Sequence, residues 1–309
     1  MDIESLLEKI RSGDRIALGR AITLVESTLD SDQEMTRQLL KHLLHQKKAL
    51  KVAVSGSPGV GKSTFIDQLG SHFTGAGFKV AVLAIDPSSL QSQGSILGDK
   101  TRMLKLGKDV NAFIRPSPTQ GLLGGIGRAT FEASLLCEEA GFDFIIIETV
   151  GVGQSEIMAR HLSDIFILLM QPGAGDELQG IKKGIIENAD LLLVNKWDGD
   201  QKLIAEKTKA AFDGVWPADK SNILLISAAE DLGIDTLSEE LISIKEKIDL
   251  DLNARERAAY WFVYQIRNLL MKRLLQKEGY VLQELENRIE EGNLHYSEAI
   301  EQALKKICL

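Results

Sequence analysis

Over the first fifty positions the apolar residues recur at intervals of three and four. Ile3, Leu6, Leu7 and Ile10, then Leu18, Ala21, Ile22, Leu24 and Val25, each fall on one face of a helix. Ser12-Gly13-Asp14 interrupts the two sets with turn chemistry. From Lys51 onward the period changes. Uninterrupted apolar runs, KVAVSG (51–56), KVAVLAID (79–86), NAFIRP (111–116), FDFIIIET (142–149), IFILLMQP (165–172), DLLLVNK (190–196) and NILLIS (222–227), are each followed by a turn and a helical stretch. Runs of this kind suit strands buried on both faces. Their alternation with helices predicts an α/β fold, a mainly parallel central sheet flanked by helices. Beyond Leu252 the strands stop, and Ala258, Trp261, Phe262, Ile266, Leu269, Leu270 and Leu274 form a wide apolar stripe on one long helix. That stripe either packs on the preceding domain or is buried against a second copy of the chain. The expected organisation is an N-terminal helical extension (1–49), an α/β domain (50–248) and a C-terminal helical arm (249–309).

Composition changes this picture little. The 309 residues are 44% hydrophobic and 26% charged, an ordinary globular balance with ample material for a core. A formal charge of -8 argues against a general nucleic-acid binder, because counterion release needs clustered Lys and Arg. The most basic stretch, KHLLHQKKALK (41–51), mixes Lys with apolar residues at helical spacing and reads as a solvated helix face. Cys137 and Cys308 are too few and too far apart for a disulfide framework or a CxxC metal site, which fits a reducing compartment. The amino terminus carries acidic residues where a signal peptide has a basic start, and no apolar window is long enough to span a bilayer. The expectation is a cytoplasmic chain with neither membrane nor nucleic acid as partner. The five histidines are scattered, which fits surface or core positions better than a ligand set.

The chemistry lies at the ends of the apolar runs, where parallel sheets bind their ligands. Gly56-Ser57-Pro58-Gly59-Val60-Gly61-Lys62-Ser63, followed by Thr64, fits GxxxxGK[ST] between a strand and a helix. Its glycines let backbone N–H groups turn toward phosphates at a helix N-terminus, Lys62 reaches the β and γ phosphates, and the Ser63 hydroxyl ligates Mg²⁺. Asn195-Lys196-Trp197-Asp198 ends another run. An Asp there accepts from guanine N1–H and the exocyclic amino group, a donor pair adenine lacks. Ser227-Ala228 could complete the base pocket through backbone N–H groups to guanine O6; the bland alternative for this whole region is a strand-to-helix cap. Glu148-Thr149-Val150-Gly151 stands where a DxxG element would sense the γ-phosphate, and Glu is one methylene longer than the usual Asp. It reaches the metal shell from further back or through a water. Gln154 is placed to orient a water, or is purely structural. Asp86, ending VLAID, and Asp99, in ILGDKTRM, are further carboxylates for a metal or switch loop, with a helix cap and local ion pairing as their respective alternatives.

Taken together, SGSPGVGKST, IDPSS, GSILGDKTRM, IRPSP, LLGGIGRAT, ETVGVGQSE, QPGAGDELQGIKKGI and NKWDGD resemble the MeaB/ArgK family, the GTPase chaperones of adenosylcobalamin-dependent acyl-CoA mutases such as methylmalonyl-CoA mutase. The resemblance covers most of the chain. It implies a P-loop GTPase of the dimerising class, related to the nickel-insertion GTPases, with the C-terminal arm forming a homodimer. It also implies Mg²⁺, GTP and GDP as ligands, no tightly bound organic cofactor, and slow intrinsic hydrolysis accelerated by the mutase, whose cofactor loading the GTPase gates and which it protects from inactivation. By the family pattern Lys62 and Ser63 bind phosphate and Mg²⁺, while Asp86, Asp99 and Glu148 belong to the metal and switch region. Asn195, Lys196 and Asp198 bind guanine, and Asp176, Gln179 and Lys182 lie on a further switch loop facing the mutase. Leu90 and Gln93 depart from the pattern in one switch loop, and Trp197 replaces a small residue in the guanine motif. A P-loop kinase and a nickel metallochaperone are the competing classes. The kinase has no use for the guanine motif, and the metallochaperone would carry His and Cys ligands near the P-loop or in a tail.

Overall fold

A computed structural model describes residues 2–43, 48–86, 103–118, 125–149, 155–174, 183–214, 216–217, 220 and 223–307. Helices α1 (Ile3–Arg11), α2 (Arg15–Glu26) and α3 (Asp30–Lys41) open the chain. Asp2 caps α1 and Asp14 caps α2, the latter by accepting from the Ile16 and Ala17 N–H groups, an arrangement that satisfies donors a helix start leaves open. Gly13, in the left-handed region, makes the break between them. Strands β1 (Leu50–Gly56), β2 (Val80–Asp86), β3 (Ala112–Pro118), β4 (Phe144–Glu148), β5 (Ile165–Met170), β6 (Leu191–Val194) and β7 (Leu224–Leu225) form one sheet in the order β3-β2-β4-β1-β5-β6-β7. Every pairing between them is parallel.

The seven strands fall on the seven apolar runs, but among the described residues the last run contributes two to its strand. After β7 the chain bends, and Ser227 makes an isolated antiparallel bridge with Leu232. Helices α4 (Lys62–Gly75), α5 (Gly125–Glu139), α6 (Ser155–Arg160), α7 (Lys183–Asn188), α8 (Lys202–Asp213) and α9 (Ile234–Lys247) accompany the sheet. Val52 and Val54 pack with Phe65, Ile66 and Leu69 in one core, while Ala53 joins Phe166, Leu168 and Phe212 in the other. This is the period-2 alternation of a sheet covered on both faces. Helix α2 packs on α5 and β3, and there Arg115 of β3 pairs with Glu26, which also accepts from Ser117 Oγ at 2.6 Å.

Lys51 corrects the reading of 41–51 as a solvated helix face. Helix α3 ends at Lys41, and Lys51 is buried in β1 with its Nζ 2.5 Å from Glu138 of α5. The β period takes hold at Leu50 and turns Lys51 inward. Burial pushes the Lys51 ammonium below its usual range, against the opposing pull of Glu138. Beside it Asp164 accepts from Lys51 N at 2.9 Å, Asn253 Nδ2 at 2.9 Å and Arg257 Nη1. These groups lie at the amino ends of β1 and β5, opposite the P-loop.

Helix α10 (Leu250–Glu290) and α11 (Tyr296–Ile307) follow. The chain divides into two compact units, Met1–Arg257 and Ala258–Leu309. Within the second, Val281, Leu285, Leu294 and Ala299 make a small core. Of the predicted stripe Trp261 is buried, whereas Phe262, Ile266, Leu269 and Leu270 are exposed.

Candidate nucleotide site

The P-loop runs from the carboxyl end of β1 into α4, at the centre of the sheet between β4 and β5. Gly59 and Gly61 have φ of +79° and +98°, conformations that side chains resist. At Gly56 a Cβ would lie 2.4 Å from Leu169 O, and at Gly61 it would lie 2.6 Å from Asn195 Nδ2. The spacing of glycines thus answers to close neighbours as well as to phosphates. Lys62 Nζ donates to Gly56 O at 2.7 Å and Ser57 O at 3.2 Å, so the ammonium lies back across its own loop. Pro58 and Gly59 are exposed at the tip, Val60 is fully buried, and Thr64 is exposed in the first turn of α4.

Glu148 ends β4, in register with Val54 of β1 and Ala84 of β2. Its Oε1 accepts from Ser63 Oγ at 3.0 Å. The longer carboxylate therefore reaches the P-loop hydroxyl directly. A hydroxyl and a carboxylate side by side are hard oxygen donors that fit Mg²⁺, an ion that usually takes one or two protein ligands and completes its shell with phosphates and water. Among the described residues no three His, Cys, Asp or Glu side chains gather as a metal-holding group. Asp86 closes β2, with its side chain outside the described residues. Asp99, Gln154, Asp176, Gln179 and Lys182, together with the departures Leu90 and Gln93, also lie outside them.

The guanine motif follows β6. Lys196 adopts φ +60°, a sparsely populated conformation for a residue with a side chain. Two backbone bonds hold the loop, Asn195 N to Met170 O and Trp197 N to Ile226 O, both at 2.9 Å. Asn195 is 2% exposed. Its Nδ2 donates to Val60 O at 2.8 Å, and its Oδ1 accepts from Ala228 N at 2.9 Å. The first residue of the motif thus ties the P-loop to the 227–228 loop. Asp198 is held by a hydrogen bond from Ser227 Oγ. Trp197 packs against the core beneath α8, where its Nε1 donates to Glu206 at 3.2 Å and Lys202 Nζ sits 4.6 Å from the ring centre. The bulk that departs from the family pattern is thereby accommodated on α8.

One detail differs from expectation. The N–H groups of Ser227 and Ala228 are already engaged, by Leu232 O at 3.1 Å and by Asn195 Oδ1. What Ser227 turns toward the motif is its hydroxyl, and Ala228 acts through Asn195. The sequence reading missed this dual use of Asn195. It also missed Asp67 and Gln68, polar residues inside the buried run Phe65–Gly70 of α4. A polar pair within such a run was the available signal.

A phosphate loop and a guanine motif converging at the carboxyl end of a parallel sheet define a P-loop GTPase. Residues 18–279 match the family of the methylmalonyl-CoA mutase-associated GTPase MeaB, and the chain belongs to that family. It is 44% identical to a probable GTPase of Mycobacterium bovis over 98% of this chain and 94% of the relative. It is 50% identical to the mitochondrial methylmalonic aciduria type A homolog of Mus musculus over 68% of this chain and 53% of that protein. A solved structure described as a LAO/AO transport system kinase superposes with a TM-score of 0.78 at 30% identity, covering 99% of this chain and 98% of the other.

Proposed function

We propose that this GTPase is the chaperone of an adenosylcobalamin-dependent acyl-CoA mutase, methylmalonyl-CoA mutase in the first instance, that it gates cofactor loading, and that it protects the mutase from inactivation. The observation that carries the reading is the family match across residues 18–279. In this reading Lys62, with the P-loop backbone of residues 56–64, holds the phosphates, while Ser63 and Glu148 hold Mg²⁺ together with Asp86 and Asp99. A bound Mg²⁺ supplies charge neutralisation at the β and γ phosphates. The chain's own residues orient the nucleotide. Lys62 swings from the Gly56 and Ser57 carbonyls to the phosphates, Asn195 keeps base loop and P-loop in register, Asp198 reads the guanine edge, and Gln154 orients the attacking water. Asp176, Gln179 and Lys182 signal to the mutase. Slow intrinsic hydrolysis suits a switch that waits for its partner, because a partner can supply transition-state charge stabilisation that the free GTPase lacks.

The exposed apolar residues of α10, Phe262 at 66% and Leu270 at 61% among them, support a homodimer through the arm, since a contiguous apolar stripe calls for a cover. The protein is expected to work in the cytoplasm; no helix among the described residues is long and apolar enough to cross a membrane. The test is a pull-down from the source cell, followed by GTP hydrolysis with and without the recovered B12-dependent mutase. The mutase should accelerate turnover and be retained in a nucleotide-dependent manner. An unchanged rate with a purified, active mutase contradicts the chaperone reading and leaves the GTPase assignment standing.

A further inference from the structure

A polar chain runs through the GTPase unit beside the nucleotide site. Lys105 Nζ donates to Gln68 Oε1 at 2.7 Å, and Gln68 Nε2 donates to Ala228 O at 3.3 Å. From there Ala228 N donates to Asn195 Oδ1, and Asn195 Nδ2 donates to Val60 O. Gln68 is 8% exposed, so its amide has little water to fall back on. Its two partners are of opposite kind, an ammonium that only donates and a carbonyl that only accepts. A primary amide serves both at once, in one orientation; a carboxylate serves only the first. Lys105 is itself held in place. Its N–H and that of Leu106 donate to Asp67 of α4 at 3.2 and 2.8 Å. The buried Leu106 side chain lies so close to Gly70 that an added Cβ would stand 2.6 Å from Leu106 Cδ2.

We propose that Gln68 is a positioning residue for guanine-nucleotide binding: it fixes the Ala228 loop, and through Asn195 the P-loop, to the 103–109 stretch docked on α4. Neither Gln68 nor Lys105 belongs to the phosphate or guanine motifs, yet both set where those motifs stand. Linked hydrogen bonds of this kind polarise and align one another, and a break at either end is felt at the other.

The test compares Gln68→Met, Lys105→Met, their double variant and Gln68→Glu, with GDP and GTP affinities from titration and kcat and KM for hydrolysis. Each Met variant is expected to raise the nucleotide Kd and KM about five- to tenfold, the scale of one lost hydrogen bond to a charged or buried group. The change in kcat should stay within about twofold, as for lost uniform binding. The double variant should be no worse than the poorer single, because both cut one chain. Gln68→Glu should lose as much as Gln68→Met: it keeps the Lys105 contact and sets a carboxylate against the Ala228 carbonyl. Three results would each overturn the proposal: Lys105→Met with wild-type affinity, Gln68→Glu with wild-type affinity, or losses that multiply in the double variant. Lys105 is exposed, so its variant folds even where a substitution at Gln68 does not. A Lys105→Met protein with full structure and unaltered Kd then decides against coupling by itself.

Discussion

Gly61→Ala and Gly59→Ala separate the two demands that the P-loop makes of its glycines. Both residues sit at positive φ, +98° and +79°, so an alanine at either carries a similar backbone penalty of about 1–2 kcal/mol. The space around them differs. At Gly59 an added Cβ meets nothing within 4 Å, whereas at Gly61 it would stand 2.6 Å from Asn195 Nδ2. The buried Asn195 side chain would have to turn away, losing its bonds to Val60 O at 2.8 Å and from Ala228 N at 2.9 Å. Two net hydrogen bonds cost about 1–1.5 kcal/mol each. Gly61→Ala should therefore destabilise the protein by about 3–5 kcal/mol, roughly 2–3 kcal/mol more than Gly59→Ala. The assay is urea denaturation without nucleotide, with both variants and wild type compared at equal slope. Equal costs for the two, within about 0.5 kcal/mol, would refute the tie between Asn195 and the P-loop.

Lys62→Ala should weaken GTP binding about a hundredfold or more, the loss of charge-assisted bonds to phosphate, measured by calorimetric titration; a change under about tenfold would remove Lys62 from the phosphates. Asp164→Asn takes the charge from opposite Arg257, which is 7% exposed, and should cost about 3–5 kcal/mol in denaturation. It should leave GTP affinity unchanged, because Asp164 lies at the other end of the sheet. The Cys137 thiol is pushed up to about 12, chiefly by burial and then by Glu138. It should therefore resist alkylation in the native protein near about pH 8 and react only once denatured, as peptide mass spectrometry would record. Labelling of native Cys137 would mean that α5 opens.

The strands were legible because each is a continuous apolar run, and a parallel sheet buried on both faces requires such runs. The run NILLIS overstated its strand: among its described residues Leu224 and Leu225 pair with β6, Ile226 N donates to Val194 O at 2.9 Å, and Ser227 then turns back to Leu232. That turn depends on partners distant in sequence. The candidate phosphate and guanine motifs stand out in the sequence because each packs its polar and glycine residues into a few consecutive positions. What local sequence could not convey is where the motifs meet. Asn195 reads as a base-binding residue, and only the fold reveals that its amide bridges Val60 and Ala228. Glu148 looked too long for its place, yet with β4 beside β1 it meets Ser63 at 3.0 Å. Lys51 looked solvated because its neighbours 41–50 are helical in pattern, while its own strand carries it inward to Glu138.

The proposed base pocket rests on Asp198, and a nucleotide titration tests that proposal most directly. Wild type should prefer GTP to ATP by about a thousandfold or more, the discrimination of a site built to accept from a specific donor pair. Asp198→Asn should lose GTP and gain xanthosine triphosphate, which presents an acceptor where guanine presents the amino group. GTP affinity unchanged in Asp198→Asn, or ATP preferred by the wild type, would contradict the assignment of this site to guanine.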